Sequence, residues 1–139
     1  MTPEPETTRV ELSIPASVEW LALARTTGAA IASRWAFTYD EIADLRLAID
    51  ELCLTLVEGP PAARLDLLYA LEGDALTVEG RAVGAGEATG IAAPEGGEAV
   101  LSSDLSGRIL DALVDAHGAE NHDGSRRAWL RKQRSTQDA

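Results

Sequence analysis

An acidic side chain and a hydroxyl lie one helical turn apart in the segment 40–58, where they could do chemistry together. Glu51 could take a proton from an attacking group as a general base. The Thr55 hydroxyl could bind magnesium, as Ser and Thr hydroxyls do in phosphate-binding loops. The spacing of four residues places both on one face of a helix, where they can address the same ligand. Glu51 by itself fits a solvated helix acid better than a catalytic base.

The helix that carries this pair has signals for its start, its buried face and its end. Thr38 and Glu41 fit a capping box, in which the hydroxyl and the carboxylate each satisfy a backbone amide. Gly59 and the two prolines after it end the helix. The predicted buried face is an apolar stripe of Ile42, Leu45, Ile49, Leu52, Cys53 and Leu56. Glu51 and Thr55 lie off this stripe, so we expect them to face a different neighbour.

Two elements are predicted before this helix. Apolar and polar residues alternate over 10–14, which indicates a half-buried strand. Ser17 is expected to cap a helix over 18–34, because its hydroxyl can accept an amide hydrogen bond at the helix start. The buried face of that helix is predicted from residues at helical spacing, namely Leu21, Ala24, Gly28 and Ile31.

A hairpin and a loop are predicted after the central helix. Alternation over 65–69, a turn at Gly73 and Asp74, and apolar residues from Leu76 to Val78 indicate the hairpin. Residues 84–100 are rich in Gly, Ala and Glu, which is typical of a mobile loop.

The remainder of the chain predicts a third helix and a second hairpin. Ser103 or Asp104 is expected to cap a helix that runs to about Ala116. Its predicted inward face is Leu105, Ile109, Ala112 and Leu113. The last hairpin is predicted over 117–121 and 126–132, with its turn at Asp123 and Gly124. This order of elements predicts a two-layer α/β sandwich with a mixed, mainly antiparallel sheet and the helices on one face.

Composition limits the class of protein. The chain has 139 residues, which is the length of one domain. We expect disordered tails at 1–8 and 134–139 and a single domain over 9–133. The formal charge of -11 argues against nucleic-acid binding, which needs a basic face. The sequence has no signal peptide or apolar run that could cross a bilayer, so we expect a cytoplasmic protein without membrane contact. Cys53 is the only cysteine and is expected to be a small buried side chain.

The central helix and the order of elements resemble one known family. Residues 42–53, together with 10–16 and 110–115, are similar to RsbW-type anti-sigma factors, which are bacterial serine kinases with the GHKL (histidine kinase and Hsp90-like ATPase) fold. The resemblance covers nearly all of the chain after residue 8, and actinobacterial members look most similar. It implies that the chain holds a sigma factor away from RNA polymerase. It also implies an anti-sigma factor antagonist as a competing partner, which active members phosphorylate on a serine.

The resemblance gives roles to residues of three motifs. In the Glu-x-x-x-Asn motif of the central helix, Glu51 matches the catalytic base, and Thr55 replaces the Asn that helps to hold magnesium. In the Asp-x-Gly-x-Gly motif, Gly84 and Gly86 match, but Ala82 replaces the Asp that reads the amino group of adenine. The third motif is a glycine-rich turn that cradles phosphates, and the matching residues 104–107 keep only the glycine at 107.

These departures predict a degenerate ATP site. Ala82 has no side-chain acceptor for adenine, and Thr55 offers magnesium only one hydroxyl. The leading hypothesis is therefore an anti-sigma factor that acts by binding, without an obligatory cofactor and with at most weak binding of ATP and magnesium. One alternative is an active serine kinase with a divergent pocket, and another is a GHKL-fold domain that binds a different partner. The resemblance also implies a homodimer, for which Val10, Leu12, Ile14 and the face around Gly28 are the predicted patch.

Overall fold

The computed structural model of the chain describes residues 8–59, 61–84, 97–122 and 125–135. Residues 1–7 of the predicted tail, residues 85–96 of the predicted loop over 84–100 and the turn at 123–124 lie outside the described residues. The loop was predicted too long at both ends, because Gly84 belongs to a strand and 97–100 belong to a helix. The elements in chain order are β1 (Thr8–Pro15), a 3₁₀ turn (Val18–Trp20), α1 (Leu21–Arg34), α2 (Tyr39–Val57), β2 (Ala62–Glu72), β3 (Ala75–Gly84), α3 (Gly97–Leu113), β4 (Ala116–His122) and β5 (Ser125–Gln133). This is the predicted order.

The five described strands form one sheet in the order β1-β2-β3-β5-β4. All four neighbouring pairs are antiparallel, so the expected antiparallel character is confirmed and no parallel pair occurs among the described strands. Along β2, Leu65, Leu67 and Tyr69 are buried, while the residues between them are half-buried. Because successive side chains point to opposite faces of a sheet, only one face is fully covered. The helices pack on that face, which gives the predicted two-layer sandwich.

The helix α2 forms the centre of the helical layer. The predicted stripe is confirmed from Leu45 to Leu56, and its members are at most 1% exposed except for the half-buried Ile42 at the start of the helix. The capping box is also confirmed, because Thr38 Oγ1 accepts from the Glu41 amide at 3.1 Å and Glu41 accepts from the Thr38 amide at 2.7 Å. The sheet makes room for this helix at Gly80, where an added Cβ would lie 2.8 Å from the Leu56 side chain.

The helix α1 packs closely against α2 at Gly28. A Cβ at this position would collide with the Ile49 side chain and would contact Tyr69 at 3.5 Å. One turn earlier, the Tyr69 hydroxyl donates a 2.7 Å hydrogen bond to the Ala24 carbonyl and ties α1 to the sheet. The small residues of α1 therefore serve the core of this single chain.

The prediction for the start of α1 was wrong in its detail. Residues 18–20 form a 3₁₀ turn, and the Ser17 side chain makes no capping hydrogen bond. Instead, the backbone carbonyl of Ser17 accepts from the Trp20 amide at 3.0 Å. The backbone carbonyl of Ser17 therefore takes the role that was predicted for its hydroxyl, which is to accept a hydrogen bond from an amide at the start of the helix.

The boundaries of the two predicted tails need correction. Thr8 is the first residue of β1 and is paired with Leu71. At the other end, the Arg134 guanidinium pairs with the Asp74 carboxylate and also donates to the Trp35 carbonyl at 2.9 Å. Thr8 belongs to the fold through its strand pairing, and Arg134 belongs to it through these two side-chain contacts. Neither contact can be predicted from local composition.

The helix α3 differs from its prediction in both its start and its face. It begins at Gly97, so Ser103 and Asp104 lie within the helix and are not its N-caps. Among the described side chains of α3, which begin at Leu105, the buried ones are Ser106 and Leu110. The predicted inward residues Leu105 and Ile109 are 59% and 36% exposed, Ala112 is exposed, and only Leu113 is half-buried as expected. The apolar pattern misplaced the face by about one residue because a serine occupies the contact with α2.

The hairpin turns and the cysteine agree with the sequence where they are described. Gly73 has a φ of 60°, the left-handed conformation that favours glycine in the turn between β2 and β3. Cys53 is fully buried, and its burial, followed by the nearby Asp50 charge, raises the pKa of the thiol to about 12. This makes it an unreactive packing residue. Within the part of the chain that the structure describes, no helix has the length and apolar character needed to cross a membrane.

The two N-cap positions offer a matched test of this fold. We expect Thr38→Ala to lower the free energy of unfolding by about 1 kcal/mol, because it removes one half of the capping box. Ser17→Ala removes no capping hydrogen bond, so its effect should be only a few tenths of a kcal/mol. Denaturant unfolding of the two variants checks this, and equal effects would contradict the assignment of the caps.

Candidate functional site

The predicted pair of residues on α2 meets a serine of α3. Ser106 Oγ donates a 2.7 Å hydrogen bond to Glu51 Oε2 and lies 2.9 Å from Thr55 Oγ1. Thr55 Oγ1 is also 2.9 Å from the backbone carbonyl of Glu51, one turn earlier in the helix. We call these three side chains the Glu51–Ser106–Thr55 cluster. It brings the two site residues of α2 together with a serine from the third motif, residues 104–107, to which the sequence gave no role of its own.

The protons of this cluster can be assigned from the chemistry of its groups. An ionised carboxylate only accepts, so the single hydroxyl proton of Ser106 is directed to Glu51. The Thr55 proton then has two acceptors at equal distance, the Glu51 carbonyl and the Ser106 oxygen. Every hydroxyl proton in the cluster therefore has a partner within the protein. Glu51, the candidate base, is already engaged by a neighbour from α3.

Burial shows how closely α3 covers α2 here. Ser106 is 7% exposed and is the only polar residue among the described side chains that is classed with the core. Glu51 and Thr55 are half-buried. Besides its place in the third motif, Ser106 had one signal in the sequence. It shares a helical face with Leu110, four residues later, and with Leu113, three residues after that. The apolar pattern gave this serine no weight.

The second motif is placed at the far end of β3. Ala82 is 8% exposed and faces the helices, since it alternates with exposed Arg81 and is in line with buried Gly80 and Val78. Gly84 is the last residue of β3, and Gly86 lies outside the described residues. The third motif, residues 104–107, lies inside α3 and not at its start. Its amides therefore do not form the helix N-terminus that a phosphate would need.

The side chains at the motif positions offer few free groups of the kind that magnesium or adenine binds. Ala82 presents a methyl group, which accepts no hydrogen bond, and Thr55 presents a hydroxyl that is bonded within the cluster. One carboxylate oxygen of Glu51, Oε2, accepts from Ser106. Among the described side chains, no group of three or more His, Cys, Asp or Glu residues is placed to hold a metal ion.

A second feature is an exposed groove between α1 and α2. It has a volume of about 420 Å³, and Tyr39 and Leu47 line it while remaining 85% and 59% exposed. The ion pair between Arg25 and Asp50, at 2.7 Å, lies within the groove and joins the two helices. An exposed apolar lining with a few charges is typical of a surface that contacts another protein.

Comparison with known proteins gives one consistent group of relatives. The chain is 42% identical over 50 residues to the serine-protein kinases RsbW of Bacillus thuringiensis strain Al Hakam, Bacillus cereus strain B4264 and Bacillus anthracis strain CDC 684 / NRRL 3495. The match covers 36% of this chain and 31% of each of these relatives. No family model matches the chain.

A solved structure has the same fold. The crystal structure of the RsbU and RsbW domains of Rv1364c from Mycobacterium tuberculosis superposes with a TM-score of 0.67 at 17% sequence identity. The alignment covers 94% of this chain and 33% of that one. At this identity the likeness concerns the fold, and it extends over almost the whole chain.

The Glu51–Ser106–Thr55 cluster makes a testable contribution to stability. We expect Ser106→Ala to lower the free energy of unfolding by about 1–3 kcal/mol, because it leaves the half-buried Glu51 carboxylate without its donor. Ser13→Ala is the matched control, since Ser13 also donates to a carboxylate, that of Asp66, but on the exposed face of the sheet. Its effect should be within about 0.5 kcal/mol. Similar losses in the two variants would show that the cluster does not hold α3 against α2.

Proposed function

We propose that this chain, an RsbW-type protein with the GHKL fold, is an anti-sigma factor that acts by binding and not by phosphoryl transfer. In this proposal it holds a sigma factor away from RNA polymerase and releases it when an anti-sigma factor antagonist competes. The matched segment spans 31% of the length of the curated relatives, so both the activity and the partners are part of the proposal.

The hydrogen bond from Ser106 to Glu51 is the observation that carries the binding interpretation. A kinase of this type needs its base directed at the serine of the substrate, from which it accepts a proton. Here the base accepts from a buried serine of its own chain, and Thr55 completes the contact. The contact joins α2 to α3 and so supports a role in the scaffold. The loss of the acceptor at position 82 supports the same conclusion.

The two alternatives make different demands on these residues. An active kinase would need the second carboxylate oxygen of Glu51 to reach the substrate serine, or Ser106 to move away. It would also need a nucleotide contact that replaces the missing acid at position 82. A domain for a different partner would keep the fold but would bind neither a sigma factor nor an antagonist. Phosphate transfer to an antagonist would favour the first alternative, and the absence of both partners would favour the second.

The exposed apolar side chains indicate where a partner would dock. Of the seven large apolar residues that are exposed among the described side chains, five lie on the 3₁₀ turn, α1 and α2: Val18, Trp20, Leu23, Tyr39 and Leu47. Only Leu105 and Ile109 are on α3. We therefore propose the groove of Tyr39 and Leu47 as part of the sigma-binding surface. Complementary charge between an acidic chain and a basic sigma factor would mainly speed their encounter.

The homodimer remains a proposal, but the patch on which it was based needs correction. Gly28 contacts Ile49 and Tyr69 inside the monomer, and Ile14 is 3% exposed, so neither is available to a second copy. In the described sheet, β1 lies at one edge and pairs only with β2. An antiparallel pairing of β1 with its copy across a two-fold axis would satisfy the outer edge of that strand.

The binding function predicts a specific pair of mutant effects. Leu47→Asp should weaken binding of the cognate sigma factor about tenfold or more, because it places a charge in an apolar contact. Leu105→Asp is the matched control, since both leucines are 59% exposed, and it should leave the affinity within about twofold. Surface binding kinetics and circular dichroism of both variants measure affinity and folding.

The same assay tests the role of charge. Raising salt should slow association of the unmodified protein while changing dissociation less, since exposed charges are screened within about 10 Å at 0.1 M salt. If neither a sigma factor nor an antagonist from the source organism binds at any salt concentration, the anti-sigma function is wrong. If Leu105→Asp weakens binding and Leu47→Asp does not, the surface is on α3 instead.

The dimer is checked by light scattering. At tens of micromolar protein we expect twice the mass of one chain. A monomer mass at that concentration would contradict both the dimer and the proposed pairing of β1.

A further inference from the structure

An arginine lies beside the position from which the adenine-reading acid is missing. Ala82 of β3 is paired directly with Arg126 of β5. Directly opposed residues of an antiparallel pair point to the same face, with Cβ atoms about 5 Å apart. Ala82 faces the helices, as do Ala128 and Leu130 further along β5, so Arg126 also faces them. Its neighbour Arg127 points to the other face and pairs with Glu79 at 3.2 Å.

The side chain of Arg126 lies across the end of α2. A Cβ added at Gly59 would be 2.5 Å from Arg126 Nη1 and 2.9 Å from its Cδ, so a larger residue there would displace this side chain. Gly59 follows Glu58, the C-cap of α2. The guanidinium therefore lies at the C-terminal end of the helix, where the helix dipole favours a positive charge.

The groups at this corner do not match the amino group of adenine. That amino group needs an acceptor, whereas Ala82 has none in its side chain and a guanidinium has donors only. We infer that Arg126 is a selectivity residue of this domain, which occupies the corner between Ala82 and the end of α2 and excludes adenine from it. The inference rests on the proposed function and deepens it, because it names the residue that keeps the site from binding ATP.

A consequence follows for any attempt to restore the site. A carboxylate introduced at position 82 would lie directly opposite the guanidinium and would form an ion pair with it. The introduced group would then be occupied and unable to accept from adenine. Restoring the acid with Ala82→Asp is therefore insufficient, and Arg126 has to be removed as well.

The experiment compares magnesium–ATP binding by calorimetry in three variants. The starting variant carries Ala82→Asp and Thr55→Asn, the second adds Arg126→Ala, and the third adds Arg127→Ala instead. Arg127 is the matched control because it has the same charge and strand but faces the other side of the sheet. We expect Arg126→Ala to improve binding at least about tenfold over the starting variant, and Arg127→Ala to change it less than about twofold. Equal binding in all three variants, or equal improvement by both arginine substitutions, overturns the inference.

The placement of Arg126 can also be tested without nucleotide, by measuring the free energy of unfolding. This test does not depend on the restored variants folding well. Because a Cβ at position 59 would displace the Arg126 side chain, Gly59→Ala should be better tolerated in the Arg126→Ala variant than in the unmodified protein. Independent effects of the two substitutions in a double-mutant cycle would overturn the placement of Arg126.

The unmodified protein separates this inference from the proposed function. If it binds magnesium–ATP with a dissociation constant near or below about 1 μM, the degenerate site and the role of Arg126 both fail. If it does not bind ATP and Arg126→Ala has no effect in the restored variant, only the role of Arg126 fails, and the binding function stands.

Discussion

The packing of α2 into the centre of the sheet is the constraint on which the other features depend. Leu45, Ile49, Leu52 and Leu56 are almost fully buried, and Gly80 of β3 is small enough to let Leu52 and Leu56 reach the sheet. Burial of apolar side chains is the main favourable contribution to folding, so this contact fixes the rotation of α2 about its axis. With that rotation fixed, Glu51 and Thr55 face α3, and the end of the helix at Gly59 lies beneath Arg126.

The same scaffold can therefore be retained while the chemistry around it changes. The apolar face of α2 and the sheet maintain the fold, and they do not require an acid at position 82 or an amide at position 55. The polar side chains of Glu51 and Thr55 have a partner within the chain, since Ser106 forms hydrogen bonds with both. Once buried, such groups need those partners, because an unsatisfied carboxylate or hydroxyl costs about 1–3 kcal/mol. The fold is thus compatible with different side chains at these positions, because function belongs to sites and not to folds.

Local patterns predicted most of the fold but misplaced α3. The stripe on α2, its capping box and the turn at Gly73 were predicted correctly, because each depends on residues that are close in sequence. On α3 the exposed Leu105 and Ile109 made a stronger apolar pattern than the true face. Ser106 can be buried because Glu51 and Thr55 of α2 form hydrogen bonds with its hydroxyl. No property of α3 alone contains that information.

The sequence by itself determined the order of elements, the stripe of α2, and the pairing of Glu51 and Thr55 on one face. Those features follow from the helical and strand periods, which are local. It also determined the absence of an acid at position 82. The tertiary structure decided which partners these residues have, namely Ser106 for Glu51 and Arg126 as the neighbour of Ala82. Residues 51 and 106, and 82 and 126, are far apart in the chain and meet only through the register of the sheet and the packing of the helices. Contacts of that kind are fixed by the burial of the whole core and not by local sequence.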